Sequence, residues 1–356
     1  MLNLFRGLDT RRFRPIACAL ENDGAVGREI AAAGFEVVVL GRRKKGWGIG
    51  IVRDLARFIR EREIAIVHAS SYHPSLFARV AGLVAKAPVL ISHEHVVFLH
   101  RRPKRCLYSH LLGRVTDANI AVCRAVRDQV VSWYRLDPAR VRVIYNGVDS
   151  DRFRPGLPRA EAKRQLGIAQ TAFTVMTTSR LDPEKGHRFL FEAVAPLWRE
   201  RNLRLVVVGT GRGEAAVRAE AGSYGLTPAV TFTGLRRDIP DLLAAADLFV
   251  VPTLQEGFPN VVLEAMAMAR PVIATDVAGN TEAVTHEHDA LVVPCAEPGA
   301  LRRALVRMLD DPALRDRLAA AARETVLARF TTARFVTAVQ DLYEELVSKK
   351  LGARAA

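Results

Sequence analysis

Cysteine is scarce in this chain: four stand among 356 residues, at positions 18, 106, 123 and 295, with no Cys-x-x-Cys pair. That spacing excludes a disulfide-stapled scaffold and a thiolate zinc site, and fits a reducing cytosol. Long hydrophobic runs are also lacking. A membrane-spanning helix needs about 18 uninterrupted apolar residues, and even LLAAADLFVV is broken by Asp247. The opening MLNLFRGLDTRRF has neither the apolar stretch nor the cleavage site of a secretion signal. There is no sequence-level repeat or low-complexity tract, and the last residues, LGARAA, read as a frayed tail. No RNP-like, zinc-finger or helix-turn-helix signature is present, so nucleic acid is not expected as a partner on motif grounds.

What the chain does have is positive charge, and that charge is unevenly placed. The formal net charge is +14; residues 1–150 hold 25 Lys and Arg against 13 Asp and Glu, and residues 151–356 hold 27 against 25. One part therefore carries the basic face. A field of that sign attracts nucleic acid, an anionic membrane or a phosphorylated acceptor, and charge alone does not choose among them.

The length exceeds what one core usually supports, so two domains are expected. Short β-branched runs alternate with helical patterns, the mark of βαβ units and parallel sheets. In the first half the strands fall near PIACAL, EVVVLG, IAIVHA, PVLIS, ANIAV and VRVIY, with helices at 25–33, 50–62 and 74–85. After the turn-rich IYNGVDSDRFRPGLP the pattern restarts with TAFTVMTT, LRLVVVG, AVTFTG, DLFVVP, PVIAT and ALVVP. The α/β chain thus reads as two Rossmann-like, doubly wound domains facing a cleft, with ligands at the carboxyl ends of the strands.

In EGFPNVVLEA, the strand DLFVVPTL delivers Glu256 and Gly257 to the start of a helix whose first turn holds Pro259. The free amides and partial positive charge of such a helix suit a phosphate. Glu264, about a turn and a half inside, leans back towards the same end. Two carboxylates beside a phosphate repel it unless they grip neutral hydroxyls beyond it, the layout of a sugar nucleotide. In SRLDPEKGH, Arg180 and Lys185 flank a proline-containing turn and supply cations for a diphosphate. No Asp-x-Asp pair stands at a strand end, so no metal is assigned; Arg180, Lys185 and the helix terminus take its place.

With these elements the sequence resembles the retaining GT-B glycosyltransferases of family four. The motifs are NGVDxxxF at Asn146–Phe153, RLxPEKG at Arg180–Gly186, VVGTG at Val207–Gly211, DLLAAADLFVVP at Asp241–Pro252, EGFPNVVLEAMA at Glu256–Ala267 and PVIAT at Pro271–Thr275. The resemblance implies transfer of a hexose-type sugar from a UDP-, GDP- or similar nucleoside-diphosphate donor, without a further cofactor. The acceptor would be a glycan or lipid-linked molecule of cell-surface polysaccharide, lipopolysaccharide or glycolipid synthesis. It gives Glu264 the ribose hydroxyls and Glu256 the sugar hydroxyls, with backbone amides of Gly257, Phe258 and Asn260 towards sugar or phosphate. Arg180 and Lys185 would stabilise the leaving diphosphate. In SHEHV the family's histidine position is best matched by His95, ahead of His93, His100, His68 and His73. The implied domains are 1–148 on the acceptor side, 149–334 for the nucleotide sugar, and a C-terminal helix within 335–356 packing back on the first. The expected location is cytoplasmic, peripheral at the inner face of the plasma membrane.

The chain departs from the family's pattern at Ser179, where a glycine is usual, and around Ala269 and Arg270. It also begins where members have already passed a first strand and a Gly-rich loop, so an open position beside PIACAL is expected, with about twenty residues upstream. FLHRRPKRCLYSHLLGR, Phe98–Arg114, mixes cations with apolar side chains and suggests contact with an anionic bilayer. A sugar-nucleotide epimerase and a sugar-nucleotide-binding pseudoenzyme stay open as alternatives.

Overall fold

The computed structural model describes residues 1–42 and 48–355. The chain divides into two compact units, residues 1–147 with 332–356, and residues 148–331.

Unit 1 contains the strands β1 (Ile16–Ala19), β2 (Glu36–Val39), β3 (Ile66–Ser70), β4 (Val89–Glu94), β5 (Ala118–Ala121) and β6 (Val141–Val143). Its helices are α1 (Leu2–Gly7), α2 (Gly24–Ala32), α3 (Ile49–Glu61), α4 (Tyr72–Ala85), α5 (Pro103–Gly113) and α6 (Arg124–Tyr134). Unit 2 contains β7 (Phe173–Thr178), β8 (Leu203–Val208), β9 (Val230–Gly234), β10 (Leu248–Val251), β11 (Val272–Thr275) and β12 (Leu291–Val293). Around them lie α7 (Arg159–Gln165), α8 (His187–Val194), α9 (Glu214–Ser223), α10 (Ile239–Ala245), α11 (Asn260–Ala267), α12 (Ala278–Ala283), α13 (Pro298–Asp310) and α14 (Pro312–Arg329). The last helix, α15 (Thr332–Ala355), returns to unit 1; it is helical through positions read from sequence as a frayed tail. Each described strand falls on one of the apolar runs, β3 continuing past its run to Ser70 and β4 past its run to Glu94, because a strand covered by helices on both faces is written as a continuous β-branched stretch.

Unit 2 has one parallel sheet of order β12-β11-β10-β7-β8-β9. The chain builds outward from β7 through β8 and β9, then crosses back to β10 on the other side. The switch in direction therefore lies between β7 and β10, where loops at the carboxyl ends diverge and leave room for a ligand. Asp247, which interrupts the apolar run before β10, is a buried tie. It accepts from Lys163 Nζ at 2.5 Å, Arg159 Nη1 at 2.9 Å and the Thr174 amide at 2.8 Å, joining α7 to the sheet. Lys163 also donates to the Ala172 carbonyl at 2.7 Å, so the charge that enters the core is fully satisfied.

Unit 1 is built differently. Its described strands form two separate parallel ladders, β1-β2 and β3-β4-β5-β6. A cavity of about 700 Å³ lies beside them, lined by Leu4, Leu8, Pro15 and Ile16 on one side and Ile64, Ile66, His68 and Tyr343 on another. One face of unit 1 is sealed by Leu4 of α1 and Leu8 just after it, with Phe335, Val339 and Leu342 of α15, against Val89, Ile91 and Ile120. Leu55, Ile59 and Ala81 of α3 and α4 form a separate cluster with Cys18, Leu20 and Val67.

Candidate active site

The site in unit 2 is assembled by two loops leaving adjacent strands. After β7 the chain runs Ser179-Arg180-Leu181-Asp182, makes a short 3-10 turn at Pro183–Lys185, and enters α8. After β10 it runs Pro252–Gly257 into α11. The loops are bonded to each other: the Leu254 amide donates to the Glu184 carbonyl at 2.9 Å, and Thr253 Oγ1 to the same oxygen at 3.1 Å. Gly186 makes this approach possible. Its φ is +68°, and a Cβ there would stand 2.0 Å from the Pro252 carbonyl oxygen, so a side chain would push the loops apart. Gly279 in α12 has the same function beneath Gly257, whose carbonyl would lie 2.1 Å from an added Cβ.

The result is a pocket of about 210 Å³ whose lining includes Thr178, Arg180, Lys185, Glu256, Phe258 and Asn260. Lys185 Nζ is 2.8 Å from Glu256 Oε2. These residues stand 71 positions apart in sequence, and the pairing holds the ammonium at the start of α11. Glu256 Oε1 also accepts from the Gly257 amide at 3.3 Å. Helix α11 begins at Asn260, where the sequence pattern put it, with Pro259 as its cap, and ends at Ala267 rather than Ala269; no side chain among the described residues caps its amides. The first-turn amides of a helix have no partner within it, so they and Lys185 form a positive lip beside a carboxylate.

Arg180 is placed less directly than expected. Its guanidinium is bound by Asp182 and by Glu184 Oε1, the latter at 3.0 Å, and it is 62% exposed at the pocket rim. It lines the same pocket as Lys185; an incoming anion would have to compete with two carboxylates for it. Phe258 is a core residue, packed edge-on against Phe330 at 5.3 Å between ring centroids. Its buried side chain pins the loop, and the residue lines the pocket. Glu264 sits one turn inside α11 and does not line this pocket; burial raises its pKa to about 7, partly opposed by Arg152.

One side chain at the start of α8, His187, was not singled out in the sequence. His187 Nε2 lies 3.0 Å from Ser179 Oγ, which in turn donates to the Arg180 carbonyl at 3.1 Å. Burial, with Lys185 adding to it, lowers the His187 pKa to about 4, so the ring is neutral and acts as a brace. Ser179, a departure from the usual glycine, is thus built into the loop. Its partner lies eight residues on, a spacing with no periodic signature.

Unit 1 holds a histidine cluster of its own. His95, just past β4, is 2.8 Å from Ser70 Oγ and stacks on His93 at 4.1 Å. His93 Nδ1 is 3.1 Å from His68 Nε2, and His68 Nδ1 is 2.5 Å from the Tyr343 hydroxyl on α15. In either order of protons along this chain, His93 Nε2 is buried without a partner among the described residues. Burial above all lowers all three histidines, His95 to about 4 and His68 to about 3. They are neutral at physiological pH, the form that accepts a proton or a hydrogen bond. His73 and His100 lie outside this stack.

Unit 2, a Rossmann-like sheet with a cationic loop and a helix start at its switch point, makes a GT-B fold with unit 1. The same architecture is seen in a solved Anabaena protein, Alr3699/HepE in complex with UDP, at TM-score 0.85 and 23% identity over 97% of this chain and 96% of that one. A Rickettsia africae glycosyltransferase matches at TM-score 0.86 and 20% identity, covering 97% and 93%. Residues 1–152 match the family Glycosyltransferase Family 4, and residues 172–311 match Glycosyl transferases group 1. Among curated relatives, a lipopolysaccharide core biosynthesis glycosyltransferase, LpsD, of Rhizobium meliloti is 33% identical over 247 residues, 68% of each chain. An Escherichia coli UDP-Gal:alpha-D-GlcNAc-diphosphoundecaprenol alpha-1,3-galactosyltransferase is 27% identical over 320 residues, 85% of this chain and 82% of its own. The chain belongs to the family-four, group 1 glycosyltransferases.

Proposed function

We propose that this glycosyltransferase moves a sugar from a nucleoside-diphosphate sugar to a glycan or lipid-linked acceptor in cell-surface polysaccharide or glycolipid synthesis. Anomeric configuration is retained and no metal is required. The observation that carries the reading is the Lys185–Glu256 pair at the start of α11, at the switch point between β7 and β10. The donor specified in the name of the Escherichia coli relative, UDP-Gal, and its diphosphoundecaprenol acceptor support the substrate class.

In the reaction the bond from the sugar's anomeric carbon to the diphosphate oxygen breaks, and a bond from that carbon to an acceptor hydroxyl oxygen forms. The hydroxyl proton ends on the departing diphosphate. Negative charge grows on the leaving oxygen while positive charge grows on the ring, so fixed cations and helix amides at that oxygen lower the barrier. On this reading Lys185 and the first amides of α11 receive the diphosphate, with Arg180 at the rim. Glu256, released from Lys185 by the competing phosphate, accepts from sugar hydroxyls, and Glu264 accepts from the ribose. His95, neutral and held by Ser70, serves as a hydrogen-bond partner for the sugar or acceptor. The free state of all four cysteines supports a cytoplasmic working compartment.

The test is to incubate the protein with a panel of nucleotide sugars, with and without lipid-linked acceptors and with a chelator. Acceptor-dependent, chelator-resistant release of nucleoside diphosphate with an α-linked product from an α-linked donor is expected. An epimerised donor, or binding without turnover on any acceptor, would contradict it.

A further inference from the structure

The amphipathic helix α5 faces the wrong way for a helix of a water-soluble protein. Such helices turn the apolar stripe inward. Here the inward residues are small, Cys106, Ser109 and Gly113, and the fit is close: a Cβ on Gly113 would lie 2.2 Å from Leu136 Cδ2. Leu107, Tyr108, Leu111 and Val115 recur at spacings of one, three and four residues and point to solvent. With Val96 and Leu99 of the preceding segment they are between 40% and 63% exposed.

The segment before α5 is anchored so that this surface is fixed in advance. Gln129 clamps the backbone of Phe98 in both directions, donating to its carbonyl at 2.8 Å and accepting from its amide at 2.7 Å. Arg105 is turned inward, against the expectation that it joins the basic surface. Its guanidinium lies over the rings of Phe98 at 3.5 Å and Tyr72 at 4.1 Å, with Glu94 3.9 Å away. The adjacent cations Arg101, Arg102, Lys104 and Arg114 are exposed. No Asp or Glu occurs from position 95 to 116.

We propose that α5 and residues 96–102 form a docking surface for an anionic lipid bilayer, with Leu99, Leu107, Tyr108 and Leu111 entering the headgroup boundary and Arg101, Arg102, Lys104 and Arg114 meeting the lipid phosphates. The pairing of an apolar stripe with charge of one sign is what such a surface selects. A second copy docked face to face about a two-fold axis would set arginines against arginines. A nucleic acid would leave the leucines uncovered. The inference does not depend on the acceptor reading, because vesicle binding is measured without donor or acceptor.

The test is co-sedimentation of the full chain with vesicles of phosphatidylcholine alone and of phosphatidylcholine with phosphatidylglycerol, at low and high salt. Binding to the anionic vesicles, weakened by salt, is expected. The combined variant Arg101→Glu, Arg102→Glu, Lys104→Glu should bind at least about tenfold more weakly, as should Leu107→Asp with Leu111→Asp. All these side chains are exposed, and circular dichroism checks that the fold is kept. Equal binding to neutral and anionic vesicles, unchanged binding by both variants, or a concentration-dependent dimer abolished by Leu111→Asp would overturn the proposal. Turnover on a water-soluble acceptor should be the same in these variants as in the wild type, which separates failure of this surface from failure of the transferase reading.

Discussion

Unit 2 has one continuous six-stranded sheet, and unit 1 has six described strands in ladders of two and four. The contrast extends to burial. Strands β10 and β11 are buried at every residue, whereas none of the residues of β1 and β2 is. Unit 2 holds the loops bearing Lys185 and Glu256 on a rigid sheet, the kind of support that preorganised electrostatic stabilisation needs. Unit 1 places His93 on the fully buried strand β4, between His68 of β3 and His95 just past β4, and leaves the β1-β2 ladder supported on fewer sides. The difference teaches that the two halves, similar in sequence pattern, are unequal in local stability.

The largest expected effect lies in the stronger unit. Asp247→Ala removes the carboxylate that holds Lys163 and Arg159, leaving an unpaired ammonium in the core. A loss of ~3–5 kcal/mol is expected from denaturant melts. A change below about 1 kcal/mol would mean that the tie is not the anchor of α7.

Hydrogen exchange tests the contrast itself. Amides of β1 and β2 should exchange at least about tenfold faster than those of β7 and β10 after correction for intrinsic rates. Acid should widen the gap. His68, His93 and His95 have pKa values lowered in the fold, so the unfolded chain takes up protons that the folded chain refuses. Their contribution is fully present above about pH 6.5 and is lost as pH falls from there towards 4. Glu94, raised by burial, acts in the opposite sense and reduces the total. In unit 2 the terms oppose each other: His187, at about 4, loses stability on acidification, while Glu264, at about 7, loses it as pH rises between 4.5 and 7. Protection in unit 1 should therefore fall more between pH 7 and 5 than in unit 2. Equal loss in both would break the comparison.

Glu264 should give the smallest effect and the most informative one. If its ionised form holds the ribose, the apparent KM for donor should fall as pH rises through about 7. Glu264→Gln should remove that limb, with an effect of roughly tenfold at high pH, about 1.4 kcal/mol. Retention of the limb would assign it to another group.

Much of this was legible in the chain. All twelve described strands fall on apolar runs, though β4 runs two residues past its own, and the loops bearing Lys185, Glu256 and Gly257 follow β7 and β10, because turn chemistry and burial pattern are local. What was not legible depends on distance or direction. Tyr343 meets His68 across 275 positions, and nothing local to either marks the other. Arg180 could be read as a phosphate ligand, but its capture by Asp182 and Glu184 is a matter of side-chain direction in a turn. The composition of Phe98–Arg114 suggested a membrane-facing surface; that Arg105 turns inward while Leu107 and Leu111 turn outward follows from the small residues on the packed face.

The central claim is that Lys185, paired with Glu256 at the head of α11, receives a nucleoside diphosphate. It is tested most directly by calorimetric titration of UDP and GDP into the wild type and Lys185→Ala. The account predicts that at least one of the two binds the wild type and binds the variant at least about tenfold more weakly, ~1.4 kcal/mol, with the melting temperature of the free protein little changed. Equal affinity in the two proteins, or no binding of either nucleotide to the wild type, would contradict it.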